Sequence, residues 1–295
     1  MSKSIDTLVE DIYSLIENPK EFNEDNVKKF GETLAKLLAN RLTEERGRPT
    51  LRLSNIGTKC SRKLWYLINK PETAEKLRPE VRFKFLYGDI LEALVLFLAE
   101  EAGHTVCGQQ DTIEIAGVKG HRDAILDGRN VDVKSASTYS FKKFKTNGLR
   151  EDDPFGYLDQ IGAYSYGSRE DPDLVEQDVQ SFIAIDKQHG HIVVDTYPVT
   201  DVNYEELIEE KKALVQLPEP PKRHFSPQPE GKSGNEKLGT QCSYCEFKKE
   251  CFPNLRTFLY SNGPVYLTKV VKEPKVTELL DNANDYSTEP TDQVD

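Results

Sequence analysis

Gly120-His-Arg-Asp123-Ala-Ile-Leu-Asp-Gly128-Arg-Asn-Val-Asp132-Val-Lys134 is the stretch on which the fold turns. Asp127-Gly128 is the dipeptide of a two-residue hairpin turn, so Leu126 faces Arg129 and the ladder runs back from there. In that register Asp123 lies opposite Asp132. Side chains alternate across a strand, so Asp123, Asp132 and Lys134 share one face while Ala124, Leu126, Val131 and Val133 share the other. One face is apolar and builds a core; the other presents two carboxylates and an amine. Opposed carboxylates with Cβ atoms about 5 Å apart repel each other and weaken a sheet. A divalent cation offsets that repulsion, and oxygen ligands suit Mg²⁺ or Mn²⁺, which also hold waters and phosphate oxygens. Lys134 could then orient a metal-bound water or steady charge developing on a phosphate. The simpler alternative is an exposed hairpin in which aspartate and lysine neutralise each other.

Outward from the hairpin, alternation predicts strands at 105–116, 119–126 and 130–136, and a second hairpin at 179–186 and 191–198. Three- and four-residue apolar spacing predicts helices at 5–17, 25–46, 55–69, 80–101 and 203–216. Asp153-Pro154 supplies an N-cap and a first-turn proline for another helix, ending near Gly167. Glu92 falls in the apolar helix at 80–101, where a buried carboxylate needs a partner. It is either a third metal ligand or a residue of the helix's polar side, next to Asp89. Four regions follow: an N-terminal helical segment (1–50), a core (51–217), a Pro/Gly connector with a cysteine knot (218–260), and an acidic tail (261–295) predicted to be disordered.

A chain of 295 residues can bury a full catalytic core without disulfide staples. With 37% hydrophobic and 30% charged residues it has no apolar run near the ~20 needed to span a bilayer. Its first residues lack the basic-then-apolar layout of a secretion signal, so a cytoplasmic location is expected (the host cytoplasm if viral). Five cysteines in that reducing setting are free thiols or metal ligands. The net charge of −11 argues against a nucleic-acid partner only if charge is spread evenly. It is not: residues 52–87 hold nine Lys/Arg against three Glu, and 273–295 hold seven acids against Lys275. Arg62 and Lys63, with Lys142 and Lys143 further on, are the expected phosphate contacts.

Cys242-x2-Cys245-x5-Cys251 brings three thiols within reach of one centre. The best fourth is Cys60, far upstream, because Cys107 lies in an apolar strand and reads as a buried, inert thiol. Four thiolates suit tetrahedral zinc and an iron–sulfur cluster equally well.

The order Gly88-x-x-x-Glu92, Asp123, Asp132-x-Lys134, Gln160-x-x-x-Tyr164 resembles the RecB-like branch of the PD-(D/E)XK nucleases. That branch includes the nuclease domains of the AddB and RecB recombination proteins and the CRISPR adaptation nucleases. Many members carry histidine where this chain has Glu92; glutamate there is more like the phage lambda-type exonucleases. The resemblance implies a restriction-endonuclease-like α/β fold, a central mixed sheet flanked by helices. It also implies that Glu92, Asp123, Asp132 and the Val133 carbonyl bind Mg²⁺ or Mn²⁺, that Lys134 is catalytic, and that Gln160 and Tyr164 organise DNA and active site from one helix face. The branch's cysteine pattern, with Cys60-x-Arg62-x-x-Trp65-Tyr66 at its start, implies a [4Fe–4S] cluster on Cys60, Cys242, Cys245 and Cys251, zinc being the alternative. The implied activity is hydrolysis of DNA ends, single-stranded or duplex, as an exonuclease in recombination, repair or phage DNA metabolism. A CRISPR adaptation nuclease and a non-catalytic DNA-end scaffold are the competing readings. A separate helicase or recombination protein is the implied partner, with no membrane involved.

Overall fold

The computed structural model describes residues 3–43 and 47–279. In it the hairpin forms in the expected register: β4 (Ala124–Leu126) and β5 (Arg129–Ala136) run antiparallel with Leu126 against Arg129 and Ala124 against Val131. Asp127 and Gly128 both adopt positive φ, 51° and 86°, as this tight turn requires. The ladder stops at Ala124, however. Arg122 is buried (1% exposed), and its guanidinium donates to Asp111, Asp171 and the Gly108 carbonyl. A buried cation must be paired, and satisfying this one takes the chain out of the strand. The expected strand at 119–126 is therefore two elements, with β3 (Val118–His121) pairing instead with β2 (Thr112–Ile115) in a separate two-stranded sheet. The expected strand at 105–116 is likewise divided into β1 (Val106–Cys107) and β2, by backbone of positive φ at Gly108 and Gln110.

The central sheet has the order β1-β4-β5-β6-β7, with β6 (Val179–Asp186) and β7 (Ile192–Pro198) completing it. β5 and β6 are parallel and the other pairs antiparallel, so the sheet is mixed. A parallel pair needs a long crossover; here it carries α5 (Thr138–Lys145) and α6 (Tyr157–Gly167). On one face Val131, Val133, Ile183 and Ile185 pack with Leu8 and Ile12 of α1 (Leu8–Glu17) and with Val95 and Ala99 of α4 (Pro79–Glu101). On the other, Phe182, Ala184 and Tyr197 pack with Phe141, Phe144 and Ile161. The fold is α/β.

The remaining helices are α2 (Glu24–Thr43), α3 (Ser61–Asn69) and α7 (Tyr204–Val215), with short turns α8 (Thr240–Ser243) and α9 (Lys248–Cys251) around the C-terminal cysteines. α3 starts at Ser61 rather than 55, because Cys60 is its N-cap. α6 starts at Tyr157 rather than after Asp153-Pro154. Asp153 still caps it, accepting from the N–H groups of Tyr157 and Leu158 at 3.0 Å each. Between them, Gly156 (φ 73°) crosses Gly57 so closely that a Cβ on either would collide with the other's carbonyl.

The C-terminal third departs most from expectation. Residues 218–240 do not form a bare connector, and residues 261–279 are not a disordered tail. A second, antiparallel sheet of order β12-β10-β11-β9-β8 occupies this region: β8 (Gln228–Glu230), β9 (Asn235–Lys237), β10 (Arg256–Tyr260), β11 (Gly263–Lys269) and β12 (Glu278–Leu279). Two acids of the supposed tail, Glu273 and Glu278, pair with Arg256. The buried Asn235 accepts the N–H groups of Val271 and Lys272. The rest of the acidic segment, 280–295, lies outside the described residues. Among the described residues no helix is long and apolar enough to cross a membrane.

Candidate functional site

β5 supplies Asp132 and Lys134, the end of the β4 hairpin supplies Asp123, α4 supplies Glu92, and α6 supplies Gln160 and Tyr164. Asp132 is 2% exposed, and its Oδ2 has no aligned hydrogen-bond donor although the Lys134 ammonium lies 2.6 Å away. That ammonium also reaches Gln160 Oε1 at 3.5 Å and sits 4.6 Å from the centre of the Tyr157 ring. Asp123 accepts the Val133 N–H at 2.7 Å, and Glu92 accepts from the Gln110 amide at 2.7 Å. Gln110 and Tyr157 were invisible as site residues in the sequence: nothing about an isolated Gln in a loop or a Tyr at a helix start marks them.

The electrostatics are those of too many carboxylates for one lysine. Burial, and then the charge of Asp132, push Glu92 up to about 7. Asp123 is raised well above the usual carboxylate range by burial, Asp132 and Glu92. Burial opposes the charge of Lys134, but Asp132 and Asp123 more than offset it and hold its pKa above that of an ordinary lysine. Burial, with Asp132 next, pushes the Tyr164 hydroxyl up to about 12. Three crowded carboxylates, of which only Asp132 is ion-paired to Lys134, are a fit for a hard divalent cation. Among the described residues, though, no three His, Cys, Asp or Glu side chains stand in ready-made coordinating geometry. Glu92 and Asp123 each hold a protein donor that a cation would have to replace.

This sets the pH dependence of the metal-free protein. Glu92 titrates near 7 folded against an ordinary 4.5, so its contribution to stability is present below 4.5 and is lost as pH rises through 7. Asp123 acts with the same sign. The melting temperature in EDTA should therefore fall between pH 5 and pH 8. Asp195, pushed up to about 6 by burial away from this cluster, adds to the slope. A flat EDTA profile would show that these carboxylates do not crowd one another.

Cys60, Cys242, Cys245 and Cys251 line one cavity of about 140 Å³, while Cys107 lies apart, on β1 beside the Ile125 carbonyl. The aromatic floor beneath is Trp65, Tyr66 and Phe247, packed with Cys245. Burial raises the Cys242 thiol to about 11 and the Cys245 thiol to about 12, and it raises Cys251 against the pull of Arg62. Among the described residues these thiols do not stand in ready-made coordinating geometry either, but four thiols lining one cavity suit a thiophilic centre, zinc or iron–sulfur, whose binding would have to draw them together and expel their protons.

Arg62, Lys63 and Lys143 are engaged within the chain. Arg62 donates to the Pro220 and Pro221 carbonyls and to Tyr66, Lys63 pairs with Glu246, and Lys143 pairs with Asp152. Lys142 is exposed. Arg62→Gln should accordingly lower stability by about 2–3 kcal/mol in urea unfolding, because hydrogen bonds from a charged donor to buried carbonyls are lost. Lys142→Gln should leave stability alone, its side chain being exposed. The reverse pattern would exchange the two assignments.

No family model matches the chain, and no curated protein matches it. Among solved structures it is similar to one described as "Crystal structure of SSO0001": 16% identity, 74% of this chain and 93% of that chain covered, TM-score 0.38.

Proposed function

We propose that the chain is a metal-dependent DNA nuclease of PD-(D/E)XK chemistry that hydrolyses phosphodiester bonds at DNA ends, with an iron–sulfur cluster on the four cysteines that line one cavity. The observation that carries the reading is the buried Asp132 carboxylate, ion-paired to a lysine two residues on, with Glu92 and Asp123 crowding the same point. A hairpin whose Asp and Lys merely neutralise each other would leave no surplus carboxylates to explain.

Glu92, Asp123, Asp132 and the Val133 carbonyl would hold Mg²⁺ or Mn²⁺. A bound cation there supplies a water of lowered pKa and neutralises phosphate charge. Lys134 stays protonated at neutral pH and is aimed by Asp132, Gln160 and the Tyr157 ring. It can donate to a non-bridging phosphate oxygen and so stabilise charge as it develops. Tyr164 hydrogen-bonds Gln160 and thereby fixes the group that positions Lys134. Cys60 at the head of α3 and the cysteines of α8–α9 would be clamped together, closing the chain around the core.

The test is digestion of end-labelled single- and double-stranded DNA with Mg²⁺, with Mn²⁺ and with excess EDTA. Cleavage that needs the metal supports the reading. Cleavage persisting in EDTA, or none with either metal, refutes it.

A further inference from the structure

α4 is two helices in one by its surroundings. All its buried side chains lie at Val95 and beyond. The first turns, Pro79 to Tyr87, are largely exposed and carry Phe83, Phe85 and Tyr87 at 69%, 46% and 38% exposure, the Tyr87 hydroxyl donating to the Lys187 carbonyl. None of these rings contacts another ring among the described residues. The change comes at Gly88, where a Cβ would press on the Ser135 hydroxyl of β5 at 3.1 Å. Phe83 and Tyr87, four residues apart, share one side of the helix, and Phe85 falls on the other. The stretch around the helix start is basic: from Lys76 to Tyr87, Lys76, Arg78, Arg82 and Lys84 stand against Glu80 alone. Arg78 pairs with Glu80, whereas the Arg82 and Lys84 side chains form no ion pair with a described residue.

Helical spacing ties Phe85 to the acidic site. Phe85 is seven residues before Glu92, two turns, so both lie on one side of the helix about 10 Å apart along its axis. Arg82 and Lys84 flank Phe85 to either side. An exposed ring between two cations suits a single strand, since every base has a face to stack and every linkage a phosphate. A duplex keeps its bases stacked inside.

We propose that the exposed first half of α4 binds single-stranded DNA, Phe85 stacking on a base while Arg82 and Lys84 hold flanking phosphates, and that it leads the strand end to Glu92. The inference rests on the nuclease reading for where the strand is led. A second copy of the chain could cover the same rings, and the experiment separates the two.

Binding of labelled oligothymidylate and of blunt duplex is measured by anisotropy in EDTA, where no cleavage occurs. Phe85→Ala should weaken single-strand binding about 5- to 100-fold and spare the duplex. Phe85→Leu should behave like Phe85→Ala. Phe85→Trp should bind as the wild type and lose fluorescence on adding oligothymidylate, against a background of only the buried Trp65. Binding unchanged in Phe85→Ala, or full binding by Phe85→Leu, overturns the proposal. So does a wild-type dimer on size exclusion that Phe85→Ala converts to monomer. Wild-type cleavage is scored separately. Phe85-dependent binding without cleavage removes the nuclease reading and leaves this surface standing; cleavage with Phe85-independent binding does the reverse.

Discussion

Asp132→Ala and Lys134→Ala should each lower cleavage on the order of a thousandfold while DNA binding survives. Asp132 is buried at the middle of β5 and Lys134 is held against it, so on the nuclease reading they meet only the phosphate being cleaved and not the flanking ones. Their loss therefore falls on turnover rather than on affinity. The two variants should differ in one telling way. Removing Lys134 leaves Glu92, Asp123 and Asp132 with no nearby ammonium, so in EDTA this variant should melt below the wild type and recover most on adding Mg²⁺. Removing Asp132 takes away the charge that raises both Glu92 and Asp123, so the fall in melting temperature between pH 5 and pH 8 should shrink. A folded variant of either kind with near-wild-type turnover would place the chemistry elsewhere.

If the proposed cluster is present, Cys60→Ser should strip the protein of it. Anaerobically purified wild type is expected to be brown, to absorb broadly near ~400 nm and to hold about four irons per chain. Cys60 is also the N-cap of α3, its sulfur accepting the Lys63 N–H at 3.4 Å. Serine caps a helix well, so α3 survives the substitution and the loss reports on the metal. Stability should fall by several kcal/mol, since a cross-link between α3 and the distant α8–α9 segment restrains a long loop of the unfolded chain. Cys107→Ser should change neither iron nor stability much, its neighbours being the Ile125 carbonyl and Asp173 rather than other thiols. Because burial holds Cys242 near 11 and Cys245 near 12, reconstitution of apoprotein should go faster at pH 8 than at pH 6, thiols having to lose protons on binding. Colourless protein with one zinc per chain would replace iron–sulfur by zinc. Full metal content in Cys60→Ser with loss in Cys107→Ser would move the fourth ligand to β1.

The hairpin that set the sheet was readable because its determinants are local. Asp127-Gly128 dictates the turn, and a period of two assigns Val131 and Val133 to the core and Asp132 and Lys134 to the other face. The same reasoning placed α4 to within a residue of its observed start, where Pro79 occupies the first turn. Spacing also grouped Cys242, Cys245 and Cys251, which share one cavity with Cys60.

What required the tertiary structure is every feature whose partner is remote in the chain. Asp123 leaves the ladder because Arg122 next to it is buried against Asp171, and no local pattern announces a guanidinium's burial. Glu92 meets Gln110, and Arg62 meets Pro220 and Pro221, through contacts that no periodicity encodes. The C-terminal sheet was illegible for the same reason. Strands of two to seven residues punctuated by proline and glycine carry too little alternation to register, and β9 is completed only by pairing with β11, beyond the cysteine turns. Turn chemistry and alternation act between neighbours and can be read from sequence. The pairing of buried charges and of short strands is decided by whichever distant segment the fold brings beside them.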